Sequence, residues 1–279
     1  MDANVLLKQY AAGGRDFRNA DLQGASLLGV DLGQANLRGA NLSEANLTGS
    51  SLESINLREA NLSHANLQGT NLREANLIGS NLSQANLSEA NLSDASLRTS
   101  NLTRANLSGA ILTEAILSEA ILREANLSRA KLIETCLNRT NLSNAIMMGA
   151  ILEGANLTNA ILLGANLKGA NLSKALLHGA NFSGADLSQA DLSRAKMSGT
   201  NMTDAILSGA NLRGASVSWT TLRGANLTKV NLYRAKLCWS NLTGAILVEA
   251  VLLDANLNQV TLRDANLSGA IMPNGFNHE

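Results

Sequence analysis

Residues 35–49 read ANLRG ANLSE ANLTG, three five-residue units built alike: a small residue, a polar residue, Leu, then two variable positions. Outward from this stretch the register never slips. A large apolar residue recurs at every fifth position from Phe17 to Met272, through 52 consecutive units. Leu fills 45 of those central positions, and Ala fills the position two before it in 38 units. Self-similarity at a short fixed period marks a solenoid, in which each unit buries its apolar residues only by stacking on its neighbours.

A period of five matches neither the 3.6 of an α-helix nor the alternation of a long strand. The central Leu and the small residue before it are two positions apart, so in an extended segment both point to the same side, which is taken as inward. The next small residue is three steps further on, and it returns to that side only if the chain turns a corner. Gly ends 19 of the units, as at Gly24, Gly109 and Gly224, which suits a corner residue with positive φ. Each unit reads as a short extended side plus a corner.

These repeats resemble the pentapeptide repeat family, and the resemblance runs from Arg15 to Asn274. It implies an all-β fold, a right-handed quadrilateral β-helix with four units per coil. The 52 units taken four at a time give about 13 coils, roughly 60 Å of stacked strands at strand spacing. Residues 1–14 are expected to form a short N-terminal capping helix, with Val5, Leu6, Leu7 and Tyr10 as its apolar side and Gly13 as its stop. Residues 15–274 then form the β-helix and residues 275–279 a tail, with Phe276 expected over the last coil. Asn precedes the central residue in 26 units, so residues 20 apart should stack as polar ladders.

Composition narrows the function. His64, His178 and His278 are the only histidines, and a four-sided coil keeps them too far apart to share a metal or pair as base and orienter. Cys136 and Cys238 fall on one face five coils apart, about 24 Å at strand spacing against the ~7 Å limit for a disulfide. No Gly-rich loop joins a strand to a helix, and a Leu-filled interior leaves no ligand pocket. A non-enzyme without cofactor or metal is expected. Asn, Ser or a charge interrupts every apolar stretch, so no membrane span is read. Met1 to Tyr10 lacks the basic head and apolar run of a secretory signal, which makes the cytoplasm the default location. With 22 basic and 22 acidic residues, the chain is not expected to bind nucleic acid directly.

Two surface features stand out. Asp31, Glu53, Glu74, Asp94, Glu114, Glu134 and Glu153 run along one face. The resemblance gives such an acidic column one meaning, because family members that bind DNA gyrase present carboxylates in place of DNA phosphates. The alternative is a solvated face partly neutralised by Arg73, Lys131 and the neighbouring row of Arg38, Arg58 and Arg98. The second feature is apolar: Trp219 and Trp239 are 20 residues apart and so one coil apart in one column, with Tyr233, Val251 and Leu253 on other sides. Their rings are expected to stack and to mark an interface with a partner or a second copy, a weak homodimer in the latter case. Ile111, Ile116, Ile121, Ile146, Ile151, Ile161 and Leu176 replace the usual Asn and read as strand-favouring residues.

The segments VLLKQYAAGGRDF, from Val5, and SGAIMPNGFNHE, from Ser268, are similar to the ends of cyanobacterial pentapeptide repeat proteins, a regulator of heterocyst differentiation among them. The function expected is a rigid, non-enzymatic scaffold for a protein partner, regulatory in a cyanobacterium. A gyrase-directed DNA mimic and a purely structural spacer are the alternatives.

Overall fold

The computed structural model describes residues 1–278, in two compact units, Met1–Asn141 and Leu142–Glu279. One helix, α1 (Ala3–Ala11), precedes the repeats. Within the first unit, residues 20 apart pair as parallel bridges from Asp16↔Asn36 to Ile121↔Asn141. Within the second, the same step runs from Ile146↔Asn166 to Val251↔Ile271. A step of 20 residues is four units, so each coil has four sides, and every strand is reduced to the single bridged residue before the central one.

The unit Ala85–Glu89 shows why five residues suffice. Its five backbone N–H groups all find acceptors. Ala85 donates to Leu82 O across the corner (3.1 Å), and Asn86 donates back one coil to Ala65 O (2.9 Å). Leu87 and Glu89 donate forward one coil, to Asn106 O (2.7 Å) and Ser108 O (3.0 Å). The fifth, Ser88 N–H, has no backbone partner and donates to Oδ1 of Asn86 (3.2 Å). Asn is therefore favoured for two jobs: its Oδ1 takes the one N–H that the coil leaves over, and its Nδ2 donates to the Asn of the preceding coil. Asn56 to Asn36 (3.1 Å), Asn86 to Asn66 (3.0 Å) and Asn106 to Asn86 (3.2 Å) form such ladders, as a coil of four units predicts. Where Ile111 or Ile121 stands instead, the side chain offers no acceptor to the N–H two residues on.

The corners carry a cost that the glycines only hint at. The last residue of each unit has positive φ at all of the positions from Asn19 to Gly269, and it is Gly in only a minority. Glu44 (φ 60°), Arg104 (φ 59°) and Trp219 (φ 60°) are among the others. Only this second central residue is left-handed and the corner closes by an i to i+3 hydrogen bond, which defines a type II turn. A Cβ at that φ costs about 1–2 kcal/mol per residue. The left-handed conformation persists because it aims the corner N–H at the next coil, as Glu44 N–H aims at Ser63 O (2.9 Å).

Central Leu and preceding Ala are buried throughout the interior of both units. Ser or Thr replaces Ala at nine inward places without leaving a polar orphan, because each hydroxyl donates to a nearby carbonyl, as Ser100 Oγ does to Leu97 O (2.7 Å). Among the described residues no buried side-chain polar atom lacks a partner.

At the start of the first unit, Asp2 caps α1 by accepting from Asn4 N–H (2.7 Å), and Leu6 is buried. The Tyr10 hydroxyl donates to Gly33 O (2.9 Å), and the Met1 ammonium donates to Asp21 O. Val5, expected on the apolar side of the helix, is exposed. Phe17, Leu22, Leu27 and Leu32 beneath are all buried. The far end of the second unit differs. Leu257, Leu262, Leu267 and Met272 remain partly exposed. The tail turns back through an antiparallel bridge, Ile271↔Asn277, and Phe276 is 73% exposed rather than laid over the last coil. Met272 N–H to Phe276 O (2.8 Å) closes that reversal and leaves the Phe ring outside it.

Two expectations follow. Leu107→Asp places a carboxylate among Leu and Ala and forfeits a burial of about 1.5–3 kcal/mol, so it should abolish cooperative folding, while Ser108→Asp on the outer surface melts like the parent. Gly49 (φ 63°) has open space where a Cβ would stand, so substitution there isolates the backbone term. Gly49→Val should lose roughly 1 kcal/mol or more relative to Gly49→Asn, since Asn tolerates the left-handed region, and chemical denaturation measures the difference.

Candidate functional site

Trp219 and Trp239 sit at the left-handed corners of consecutive coils in the second unit, with φ of 60° and 63°. Their corner N–H groups are held by Cys238 O (3.0 Å) and Asn258 O (3.0 Å), which fixes both Cα–Cβ vectors outward. The rings stack at 5.2 Å between centroids with 3° between planes. Stacking covers only part of each ring: Trp219 stays 65% and Trp239 54% exposed.

The corner beneath Trp219 is also built differently from its neighbours. Ser240 Oγ is inserted there, accepting from Thr220 N–H (3.2 Å) and donating to Val217 O (2.6 Å). Thr220 Oγ1 in turn donates to Met197 O (2.8 Å) and lies 3.1 Å from Thr200 Oγ1. A buried hydroxyl column thus braces the wall from which the indoles project.

Tyr233 occupies another side of the same coils, with the guanidinium groups of Arg213 (5.3 Å from guanidinium carbon to ring centroid) and Arg234 (4.8 Å) over its ring. Arg234 is also paired with Asp254 (3.3 Å). Val251 is half-buried and Leu253 lies at the edge of exposure beside Gly275 of the tail. The two Trp rings therefore form one cluster and Tyr233, with its arginines, a separate one.

The acidic residues are less column-like than their spacing suggests. In the first unit Glu74, Asp94, Glu114 and Glu134 stand at corners, whereas Asp31 precedes a central Leu and Glu53 follows one. Arg73 lies among three of them, 3.8 Å from Glu53, 3.1 Å from Glu74 and 3.7 Å from Asp94. The neighbouring Arg38 and Arg58 do not reach this group. Both pair with Glu59, each at 3.0 Å. Asp31 accepts from Gly33 N–H (3.0 Å), and in the second unit Glu153 is paired with Lys174 (2.7 Å).

The surface carboxylates with displaced acidity are those with the best guanidinium contacts. Arg38, and then Arg58, hydrogen-bond Glu59 and hold its carboxyl below the usual range. Arg104, and then Arg123, do the same for Glu124, and Arg18 does so for Asp16. Among the described residues no cluster of His, Cys, Asp and Glu is arranged to hold a metal ion, and both cysteines are free thiols. No helix among them is long and apolar enough to cross a membrane. An open depression lined by Tyr10, Arg15, Asp31, Glu53 and Glu74 is polar and shallow, without a nucleophile–base pair.

Four-unit coils with Leu inward and Asn ladders outward define a class of protein, the pentapeptide β-helix. The sequence matches the family Pentapeptide repeats in eight copies, over residues 16–53, 55–94, 90–129, 100–139, 125–164, 165–204, 205–244 and 239–272. The chain belongs to the pentapeptide repeat family, whose fold is the right-handed quadrilateral β-helix.

Among solved structures, the chain is similar to HetL, a pentapeptide repeat protein involved in heterocyst differentiation regulation from the cyanobacterium Nostoc sp. strain PCC 7120. The two are 32% identical over 100% of each chain, with a TM-score of 0.48. A pentapeptide repeat protein from the Arabidopsis thaliana thylakoid lumen is 33% identical over 35% of this chain and 68% of that one, with a TM-score of 0.35. A trypsin-treated form of QnrB1, a plasmid-mediated fluoroquinolone resistance protein, is 22% identical over 73% of this chain and 89% of that one, with a TM-score of 0.45. No curated protein matches the chain significantly.

The lowered pKa of Glu59 makes a pH prediction. A carboxyl depressed in the folded state contributes stability above its unfolded pKa, and that contribution is lost as pH falls through the folded pKa. Carboxyl NMR titration should show Glu59 and Glu124 protonating below ordinary glutamates. Arg38→Gln with Arg58→Gln should return Glu59 to their range and leave Glu124 unchanged.

Proposed function

We propose that this protein is a non-catalytic platform that presents one wall of its β-helix to a protein partner, with Trp219 and Trp239 at the centre of the contact. The observation that carries this reading is the exposed indole stack, held by paired corners and a braced wall. Indoles are enriched where binding energy concentrates, and a rigid stack gives up little conformational freedom on contact. The setting we propose is regulatory, in the cytoplasm of a cyanobacterium, supported by the similarity of the terminal segments to cyanobacterial members of the family.

In this reading the repeats of residues 15–274 form about 13 coils, residues 1–14 are the cap of the first coil, and residues 275–279 are a tail. The burial of Leu6 and the Tyr10 to Gly33 bond support the cap. A gyrase-directed mimic of DNA is the weaker reading, because Arg73 offsets charge where three carboxylates gather. Tyr233, Val251 and Leu253 are proposed as secondary contacts on the neighbouring wall.

The test is the double variant Trp219→Ser, Trp239→Ser. An interface predicts that co-purification of a partner from a cyanobacterial lysate, or self-association in sedimentation, is lost while the melting temperature changes little. A purely structural role for the pair predicts the reverse, a lowered melting temperature with association unchanged.

A further inference from the structure

The side centred on Met197, Val217 and Leu237 has a charge pattern unlike the mixed surface elsewhere in the second unit. Its outward positions carry no Asp or Glu from Leu176 to Gln259. Lys196 and Lys236 both project from it and are exposed. Neither has an ion-pair partner among the described residues. They are two coils apart, roughly 10 Å at strand spacing. Arg194, exposed at the corner leading into this side, adds a third cation without an ion-pair partner. The Trp stack forms the opposite corner. Elsewhere in this unit Lys174, Lys229 and Arg234 are matched with carboxylates, and Lys168, Arg213 and Arg223 stand on sides whose outward positions also carry Asp or Glu; the side beside the indoles is the one whose cations face no carboxylate of their own wall.

The aromatic column is also incomplete in a way that admits a ring. One coil before Trp219 the corner residue is Gly199, and nothing lies within 4 Å of where its Cβ would be. The face of Trp219 turned away from Trp239 therefore looks over an unfilled step of the ladder. A planar side chain brought there would extend the stack at the repeat already set by the two indoles.

We infer that this wall docks an acidic peptide segment of the partner, one that places an aromatic side chain over Gly199 against Trp219 and its carboxylates on Lys196, Lys236 and Arg194. The inference rests on the preceding reading that the Trp pair is an interface, and it adds the chemistry of what the interface takes. The charge arrangement favours a short acidic segment over a nucleic acid. Phosphate-tracking surfaces use many cations and draw on Arg for bidentate contacts, whereas two of the three cations here are lysines with a wide gap between them.

The chain has only two Trp, so its indole emission reports on this site alone. The full-length protein is titrated at low salt with a glutamate–tyrosine copolymer. The expected result is a saturable change in emission, weakened about tenfold or more for polyglutamate, which lacks the ring, and for Lys196→Gln with Lys236→Gln. The effect of the lysine variant should shrink as salt is raised. Gly199→Asn should also weaken binding about tenfold with unchanged melting, because other corners already hold Asn in the same conformation, as at Asn144 and Asn159.

Absence of any emission change with the copolymer overturns the inference, as does equal binding of a lysine–tyrosine copolymer. Tighter binding of oligothymidylate than of the copolymer overturns it in favour of a nucleic-acid ligand. If the copolymer fails while the Trp double variant still loses its partner, the interface reading stands and only the acidic chemistry is wrong.

Discussion

The structure depends on one constraint: four of the five backbone N–H groups in a unit must find backbone carbonyls while the chain turns a right angle every five residues, and the fifth is taken by Asn or Asp where one stands before the central residue. Of those four, three are satisfied by the coils before and after and one by the corner itself, as in the unit Ala85–Glu89. The scheme closes only if the last residue of every unit is left-handed. That is why residues as different as Glu, Arg, His and Trp share a φ near 60°. Sterically they resist it, but the hydrogen bond to the next coil is lost in any other conformation, and an unpaired buried N–H costs about 1–3 kcal/mol.

The same constraint explains the division of labour between inside and outside. Inward positions accept Leu, Ala and, where a hydroxyl can reach a carbonyl, Ser or Thr. Outward positions are released from packing, so charge and aromatic content there are free to serve recognition. Corner side chains are aimed most rigidly, since their backbone is pinned on both sides. Trp219 and Trp239 occupy corners, so the pinned backbone sets the one-coil offset of the two side chains and contact between the rings aligns their planes.

Long charged side chains behave differently. Arg73 settles among Glu53, Glu74 and Asp94, while Arg38 and Arg58 turn to Glu59. Exposed ion pairs of this kind are weak and rearrange, so the walls they cover are less sharply defined than the walls lined by Trp, Tyr or the Asn ladders. A partner that read only charge on the first unit would meet a surface partly matched within itself. The wall carrying Lys196 and Lys236 offers unmatched charge beside a rigid aromatic pair.

Periodicity alone was enough to determine which residues point inward; that Asn side chains stack 20 residues apart and that the two Trp rings lie one above the other followed once the resemblance to the pentapeptide repeat family supplied four units per coil. Each follows from counting, because a rigid period converts sequence separation into position. The left-handed corners were legible only where Gly stood, since at the other residues φ is imposed by bonds between coils and not by local preference. The use of Asn Oδ1 for the leftover N–H, and the exposure of Phe276, depend on which backbone donors remain unpaired after folding. The choice of Arg73 and Arg38 partners depends on rotamers of flexible side chains across neighbouring coils. Those were decided by tertiary structure, because each is a competition among groups far apart in sequence that meet only once the coils are stacked.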